Sequence, residues 1–402
     1  MPSQFGQIFG CLNVFRIKPL VIDSEPIESE YERKQPQYSS VSVSSEEKDV
    51  IFSTNTQSAK LRSRSKVNQA LVVVEGKKYQ ILDSFPYPTL QTQKEVVIRT
   101  KAVGLNPIDW KSVDYGFCLP EFPWVTGREM AGIVEEVGSE VTDVKVGQKV
   151  WTSTYYRDRR AGCFQKFVTV PEHTVVPVPD NLSFESASCL GVAGLTAAMA
   201  LWKWLQVPGS PTAETHTIPD EGYLLIWGGS TITGQFAIQI AVAGGLRVIA
   251  VTSGKTKPLA ESLGAQVVTR DGKSGEEIVA EIRSIAGDTI TRGIDLVGTK
   301  TAEHCLRAFS TTHKALFAPL AMMSSKAIVP SNISVETVEM KHFVLDPASK
   351  VYSHALNVLV GNGTFVLPDL LILDGGLCAV EKGLERVKRG DMEGKRVIVS
   401  FA

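Results

Sequence analysis

The chain lacks the usual marks of a metal centre, a disulfide scaffold or a membrane span. Its six cysteines, Cys11, Cys118, Cys163, Cys189, Cys305 and Cys378, are scattered over 402 residues. None form C-x-x-C pairs, which argues against a zinc ribbon and offers no disulfide framework; free thiols in a reducing cytoplasmic setting are expected. His304, His313, His342 and His354 form no pair at ligand spacing, and each is read as structural or surface. Charge of one sign is missing too. Forty-two Lys and Arg against 43 Asp and Glu leave a net charge of −1, so no nucleic-acid or membrane-surface partner is indicated. Apolar stretches are broken by Gly, polar or charged residues before about 18 positions, and no transmembrane helix is expected. Large apolar residues are also sparse from Ser24 to Ser65, too sparse to offset the entropy of ordering. Residues 1–66 therefore read as a disordered leader. Met1–Ile22 is more apolar, but Arg16 and Lys18 follow the apolar part instead of preceding it, unlike a secretory signal.

The remainder has enough length for two or three domains. One stretch organises it: Leu224-Leu225-Ile226-Trp227-Gly228-Gly229-Ser230-Thr231-Ile232-Thr233-Gly234-Gln235. Tyr223–Trp227 is short and apolar enough to be a buried strand, the glycines permit a tight turn and close ligand approach, and an amphipathic helix follows. Strand, glycine turn and helix N-terminus together make an anion site suited to a dinucleotide pyrophosphate. The strict G-x-G-x-x-G fingerprint is absent, because Thr231 stands at its middle position. An ordinary strand–turn–helix would share these features. The next strand, Leu246–Val251, ends in Thr252-Ser253-Gly254-Lys255-Thr256-Lys257. No carboxylate lies between Val251 and Ala260 to hold a ribose 2′-hydroxyl, whereas Ser253, Lys255 and Lys257 suit a 2′-phosphate, so NADPH is the expected cofactor. A solvated surface turn is the alternative reading.

Upstream, Gln69–Val74, Glu95–Leu105, Ile133–Val137, Val146–Trp151 and Phe164–Val178 read as short strands of a β-rich, partly barrel-like unit, with Asn106-Pro107 as a turn. Phe184–Leu205 reads as helical, with Gly191 and Gly194 near its middle. From Glu221 to about Val329 strands and helices alternate, ending in Gly275–Ala286, Gly293–Val297, Ala302–Phe309 and Ala315–Ala318. That pattern predicts a parallel sheet wrapped by helices. A strand at Leu370–Leu373, a helix Ala379–Arg389 and a strand Arg396–Phe401 close the chain.

These residues resemble the medium-chain dehydrogenase/reductase family from Asn68 to Ala402. The matching motifs are Gly104-Leu105-Asn106-Pro107-Ile108-Asp109-Trp110-Lys111, Gly127-Arg128-Glu129-Met130-Ala131-Gly132, Gly194-Leu195-Thr196-Ala197-Ala198, the glycine turn, and Gly394-Lys395-Arg396-Val397. Within the family, the Asn-Pro-x-Asp-x-Lys and Gly-Gly-Ser-Thr patterns are similar to the fungal trans-acting enoyl reductases and ToxD-like proteins that partner polyketide synthases. The resemblance implies an α/β fold: a GroES-like β-rich catalytic domain (residues 67–191 and 361–402) and a Rossmann doubly wound parallel sheet binding NADP (residues 192–360), with the active site in the cleft. Arg270-Asp271 stands where a Tyr often follows the third Rossmann strand. Thr311–Lys314 replaces a usual glycine pair, and Ser324–Asp346 matches nothing in the pattern.

Zinc members of the family carry Cys near the position of Asp109 and His at that of Arg128. Arg cannot ligate, since it stays protonated, and Tyr155–Cys163 holds one Cys where a structural lobe has four. No metal is expected. Without a Lewis acid, hydride delivery to an activated C=C fits better than alcohol oxidation. The candidate catalytic residues are Lys111, for charge stabilisation or phosphate binding; Asp109, to set Lys111 by pairing with it; and Thr196, to hold the nicotinamide carboxamide. A plain surface ion pair of Lys111 and Asp109 is the alternative reading. Tyr155 and Tyr156 are weaker proton-donor candidates. The cofactor set is Ile108, Asp109, Trp110, Lys111, Thr196, Gly229, Ser230, Thr231, Ile232, Thr233, Gly234, Ser253, Gly254, Lys255, Lys257, Leu320 and Lys395. The expected function is a zinc-independent, NADPH-dependent enoyl reductase of fungal secondary metabolism, acting on a free or carrier-tethered substrate. The alternatives are a quinone, enone or carbonyl reductase, and an NADPH-binding protein with little activity. Monomer and homodimer are equally compatible, since an edge strand of the Rossmann sheet can pair with a second copy.

Overall fold

The computed structural model describes residues 66–155, 158–212, 221–392 and 394–401. The expected leader up to Ser65, and Tyr156, lie outside the described residues. The strands, in chain order, are β1 (Asn68–Val74), β2 (Lys78–Phe85), β3 (Glu95–Gly104), β4 (Trp124–Val125), β5 (Glu129–Val137), β6 (Lys149–Ser153), β7 (Phe167–Pro171), β8 (Val175–Pro177), β9 (Tyr223–Trp227), β10 (Arg247–Thr252), β11 (Gln266–Thr269), β12 (Ile290–Asp295), β13 (Ala315–Pro319), β14 (Ile333–Val335), β15 (Leu370–Asp374) and β16 (Arg396–Ser400).

They form three sheets: β2-β1-β4; β15-β16-β3-β5-β6-β8, with β7 also on β3; and β11-β10-β9-β12-β13-β14. Every pair in the third sheet is parallel, as the strand–helix alternation predicts. Strand β3 is the spine of the mixed sheet. Val96, Val97, Ile98, Ala102 and Val103 are all buried, while Arg99 and Lys101 keep partial exposure. Its register against β5 shifts at Val97/Ile98 and Thr100/Ala102, and such bulges bend a sheet toward closure.

Some elements depart from the sequence expectations. Asn106-Pro107 starts a helix, Pro107–Tyr115, with Pro at its first position and Asp109 closing half of a capping box; a proline at N1 is pre-organised for a helix. Strand β12 begins at Ile290 and ends at Asp295, earlier than the expected Gly293–Val297. Arg292 hid that start, because an arginine reads as exposed. It is buried and donates to the carbonyls of Leu205 and Gln206, at the end of the preceding helical run. The unmatched stretch Ser324–Asp346 supplies the edge strand β14.

The helical run Phe184–Trp204 is long and apolar enough to cross a membrane by length and composition alone, but 72% of its most apolar window is buried inside the protein. Gly191 explains its close seat: a Cβ there would lie 2.5 Å from the Thr152 carbonyl oxygen. One core runs from Ala131 and Trp151 of the mixed sheet, through Leu195 and Ala198 of this run and Phe236, to Ile226 and Leu316 of the parallel sheet.

Candidate functional site

The glycine turn forms as its residue types require. Gly228 takes φ +97° at the end of β9, and the N–H groups of Gly228 and Gly229 both donate to Val251 O, tying the turn to β10. A Cβ on Gly229 would come within 2.6 Å of Ala250 Cβ, and one on Gly234 would collide with the Gly228 carbonyl oxygen. Thr231 caps the helix Ile232–Ala243: its Oγ1 accepts from Gly234 N at 3.0 Å and donates to Gly228 O at 2.9 Å. No acidic residue lies in the first turn of this helix. No acid thus competes with an anion at this helix start, which carries half-exposed Ser230, Thr231, Ile232 and Thr233. This cradle fits a dinucleotide pyrophosphate.

The second turn, after β10, carries half-exposed Ser253 and exposed Gly254 and Lys255. Lys257 lies 3.4 Å from Glu261. Leu320 follows β13 and donates its N–H to Asp295 O at 2.9 Å, so it lies at the same end of the sheet. Exposed Lys395 is brought in by its neighbour. Gln235 Nε2, on the helix after the glycine turn, donates to Gly394 O at 2.7 Å and to Ser230 O at 3.1 Å.

A third group lies beneath the helix Pro107–Tyr115. Arg396 and Glu129 form a buried ion pair. Asn106 donates to Glu129 Oε1 at 2.9 Å and accepts from Arg396 Nη2 at 3.0 Å. Glu129 Oε2 accepts from Val192 N at 2.7 Å, one helical turn before Thr196. Val192 and Thr196 are the half-exposed positions on an otherwise buried stretch. Residues 394–396 therefore link the glycine turn, the Asn106 corner and the Thr196 helix.

Asp109 does not pair with Lys111. It is 1% exposed, and its Oδ2 accepts from Asn106 N at 2.8 Å while Oδ1 has no hydrogen-bond partner among the described residues. Burial pushes its pKa up to about 6, against the opposing pull of Arg128 and the Asn106 N–H. Lys111 instead places Nζ 5.7 Å from the Trp110 ring centroid, a cation–π contact. Half-exposed Ile108 accepts the Ser112 hydroxyl through its carbonyl. Arg128, half-buried, reaches Ser112 Oγ at 3.4 Å. Burial raises the Cys163 thiol well above its ordinary range and the Cys189 thiol to about 12.

Two carboxylates escaped the sequence reading. Asp295 ends β12 opposite Trp227. It accepts Gly298 N at 3.0 Å, has no partner for Oδ1 among the described residues, and is raised by burial to about 6. Asp271 reaches the turn after β10 from the end of the neighbouring strand. A polar residue closing an apolar strand was the available signal for Asp295. For Asp271 the signal was its place after the third strand of the parallel sheet, where the family often carries a Tyr.

Residues 92–180 match the family model of the alcohol dehydrogenase GroES-like domain, and residues 233–367 that of the zinc-binding dehydrogenase. The trans-enoyl reductase himH of Aspergillus japonicus is 31% identical over 318 residues, covering 76% of this chain and 89% of its own. The quinone oxidoreductase of Pseudomonas syringae pv. Tomato DC3000 superposes with a TM-score of 0.68 at 22% identity, covering 83% of this chain and all of its own. A mycobacterial protein solved in complex with NADPH gives 0.65 at 20% identity, with 83% and 100% covered. The chain belongs to the medium-chain dehydrogenase/reductase family, and it is an oxidoreductase similar to the fungal trans-enoyl reductases.

Proposed function

We propose that the protein reduces an activated C=C with NADPH, without zinc, on a free or carrier-tethered thioester made by a fungal polyketide synthase in the cytoplasm. The observation that carries this reading is the Thr231-capped glycine cradle after β9, set beside a turn bearing Ser253, Lys255 and Lys257. The enoyl-reductase relatives supply the substrate class. Zinc independence rests on donor chemistry. Arginine at position 128 offers no lone pair to a metal where zinc members of the family carry His. Among the described residues no three His, Cys, Asp or Glu side chains converge. The domains proposed are residues 67–191 with 361–402 for catalysis and 192–360 for the nucleotide.

When bound, the nicotinamide supplies hydride to the β-carbon. The C=C electron pair would move onto the thioester oxygen as an enolate, and a proton from solvent at the α-carbon would restore the carbonyl. Lys111 and Arg128 are the cations on hand to stabilise that oxygen, and Thr196 holds the carboxamide. The test uses the full chain after chelator treatment, following NADPH oxidation against a short α,β-unsaturated thioester, a quinone and an aldehyde. Turnover of the thioester alone is the expected result. Turnover of quinone or aldehyde instead reassigns the substrate class. Activity lost to the chelator overturns zinc independence, and nucleotide binding with no turnover of any substrate overturns the enzyme reading.

A further inference from the structure

The ribose turn is not free of acid. Strands β10 and β11 run parallel with Thr252 beside Thr269, and Arg270 N donates to Thr252 O at 2.9 Å. That pairing lays the next residue, Asp271, across the turn, where its Oδ2 accepts from Gly254 N at 2.6 Å. The turn's other polar groups are partly engaged as well. Ser253 Oγ and Thr256 Oγ1 share a hydrogen bond of 3.0 Å, and Lys257 faces Glu261. A negative oxygen thus holds the backbone donor that a 2′-phosphate would need.

We propose that Asp271 sets the cofactor preference of this protein. It competes with a 2′-phosphate for the Gly254 N–H and repels its charge, while a 2′-hydroxyl can donate to the same carboxylate. The lysines of the turn are thereby partly cancelled, and wild-type discrimination between NADPH and NADH is expected to stay below about tenfold. The inference rests on reading Ser253–Lys257 as the ribose turn, and it adds a carboxylate from outside a stretch whose own residues carry none.

The experiment is calorimetric titration of the full chain with 2′,5′-ADP and with 5′-AMP, which needs no turnover. Asp271→Asn keeps an acceptor for Gly254 N–H and removes the charge; Asp271→Ala removes both. Both variants are expected to tighten 2′,5′-ADP about tenfold and to weaken 5′-AMP, Asp271→Ala more than Asp271→Asn, with the 2′,5′-ADP gain shrinking at high salt. Unchanged 2′,5′-ADP affinity in both variants overturns the proposal. So does equal weakening of both ligands with a lower melting temperature, because Asp271 would then only hold the turn. A Lys255→Ala, Lys257→Ala double variant separates the two readings. If it loses 2′,5′-ADP selectively while the Asp271 variants do nothing, the ribose turn stands and Asp271 falls. If no form of the protein binds either ligand, both fall together.

Discussion

Asp109 has a folded-state pKa near 6 instead of 3.8, because burial disfavours its charge. Between roughly pH 4 and 6 the folded chain holds a proton that the unfolded chain has released. Its contribution to stability is full below pH 3.8 and is lost as pH rises through 6. Asp295 has the same sign and the same window. Asp109→Asn retains an acceptor for the Asn106 N–H and abolishes the ionisation. Its advantage over wild type is expected to be near zero at pH 4 and to grow to about 2 kcal/mol by pH 7.5, read from melting curves across that range. A stability difference that is flat with pH would refute the raised pKa. At this scale the sequence exposed residue types and not their surroundings. Asp109 and Lys111 are two positions apart, so they were natural partners on paper. A helix sends such neighbours in different directions: one went into the core as a cap, and the other onto Trp110.

Among the elements, the turn after β9 was the most legible, because its glycines answer local needs. Gly234 lies against the Gly228 carbonyl, so Gly234→Ala should force the helix start away from β9. A destabilisation of about 1–3 kcal/mol is expected, with loss of nucleotide binding by titration. Thr231→Ala should cost about 1 kcal/mol, since it strips a cap from Gly234 N. Thr233→Ala, which removes no such cap, should cost less than about 0.5 kcal/mol. Equal costs for the two threonines in denaturant unfolding would show that the cap does not hold this helix. The helix Pro107–Tyr115 was missed because Asn-Pro suits a turn and a helix start alike. The Asn106–Asp109 spacing was the cue that separates them.

At the scale of the molecule, the alternation of strands and helices was enough to give the parallel sheet, and short strands with turn signals gave the β-rich part. What no local pattern shows is how far one core serves both. The apolar cluster that includes Trp151 of β6 also includes Phe236, Leu316 and Leu356. Across the same junction Trp151 Nε1 donates to Asn357 Oδ1 at 2.9 Å, and Asn357 Nδ2 donates to Pro177 O at 3.1 Å. Shared apolar burial couples the stability of the two sheets, so calorimetry of the full chain should show one cooperative transition for its folded part. Asn357→Leu should lower that transition by about 1–3 kcal/mol, because it leaves the indole N–H and the Pro177 carbonyl without a partner. It should not split it, because the surrounding apolar contacts remain. Two resolved transitions in the wild type would mean that the two sheets unfold independently. Two in the variant alone would mean that the Asn357 hydrogen bonds, and not the shared core, hold the sheets together.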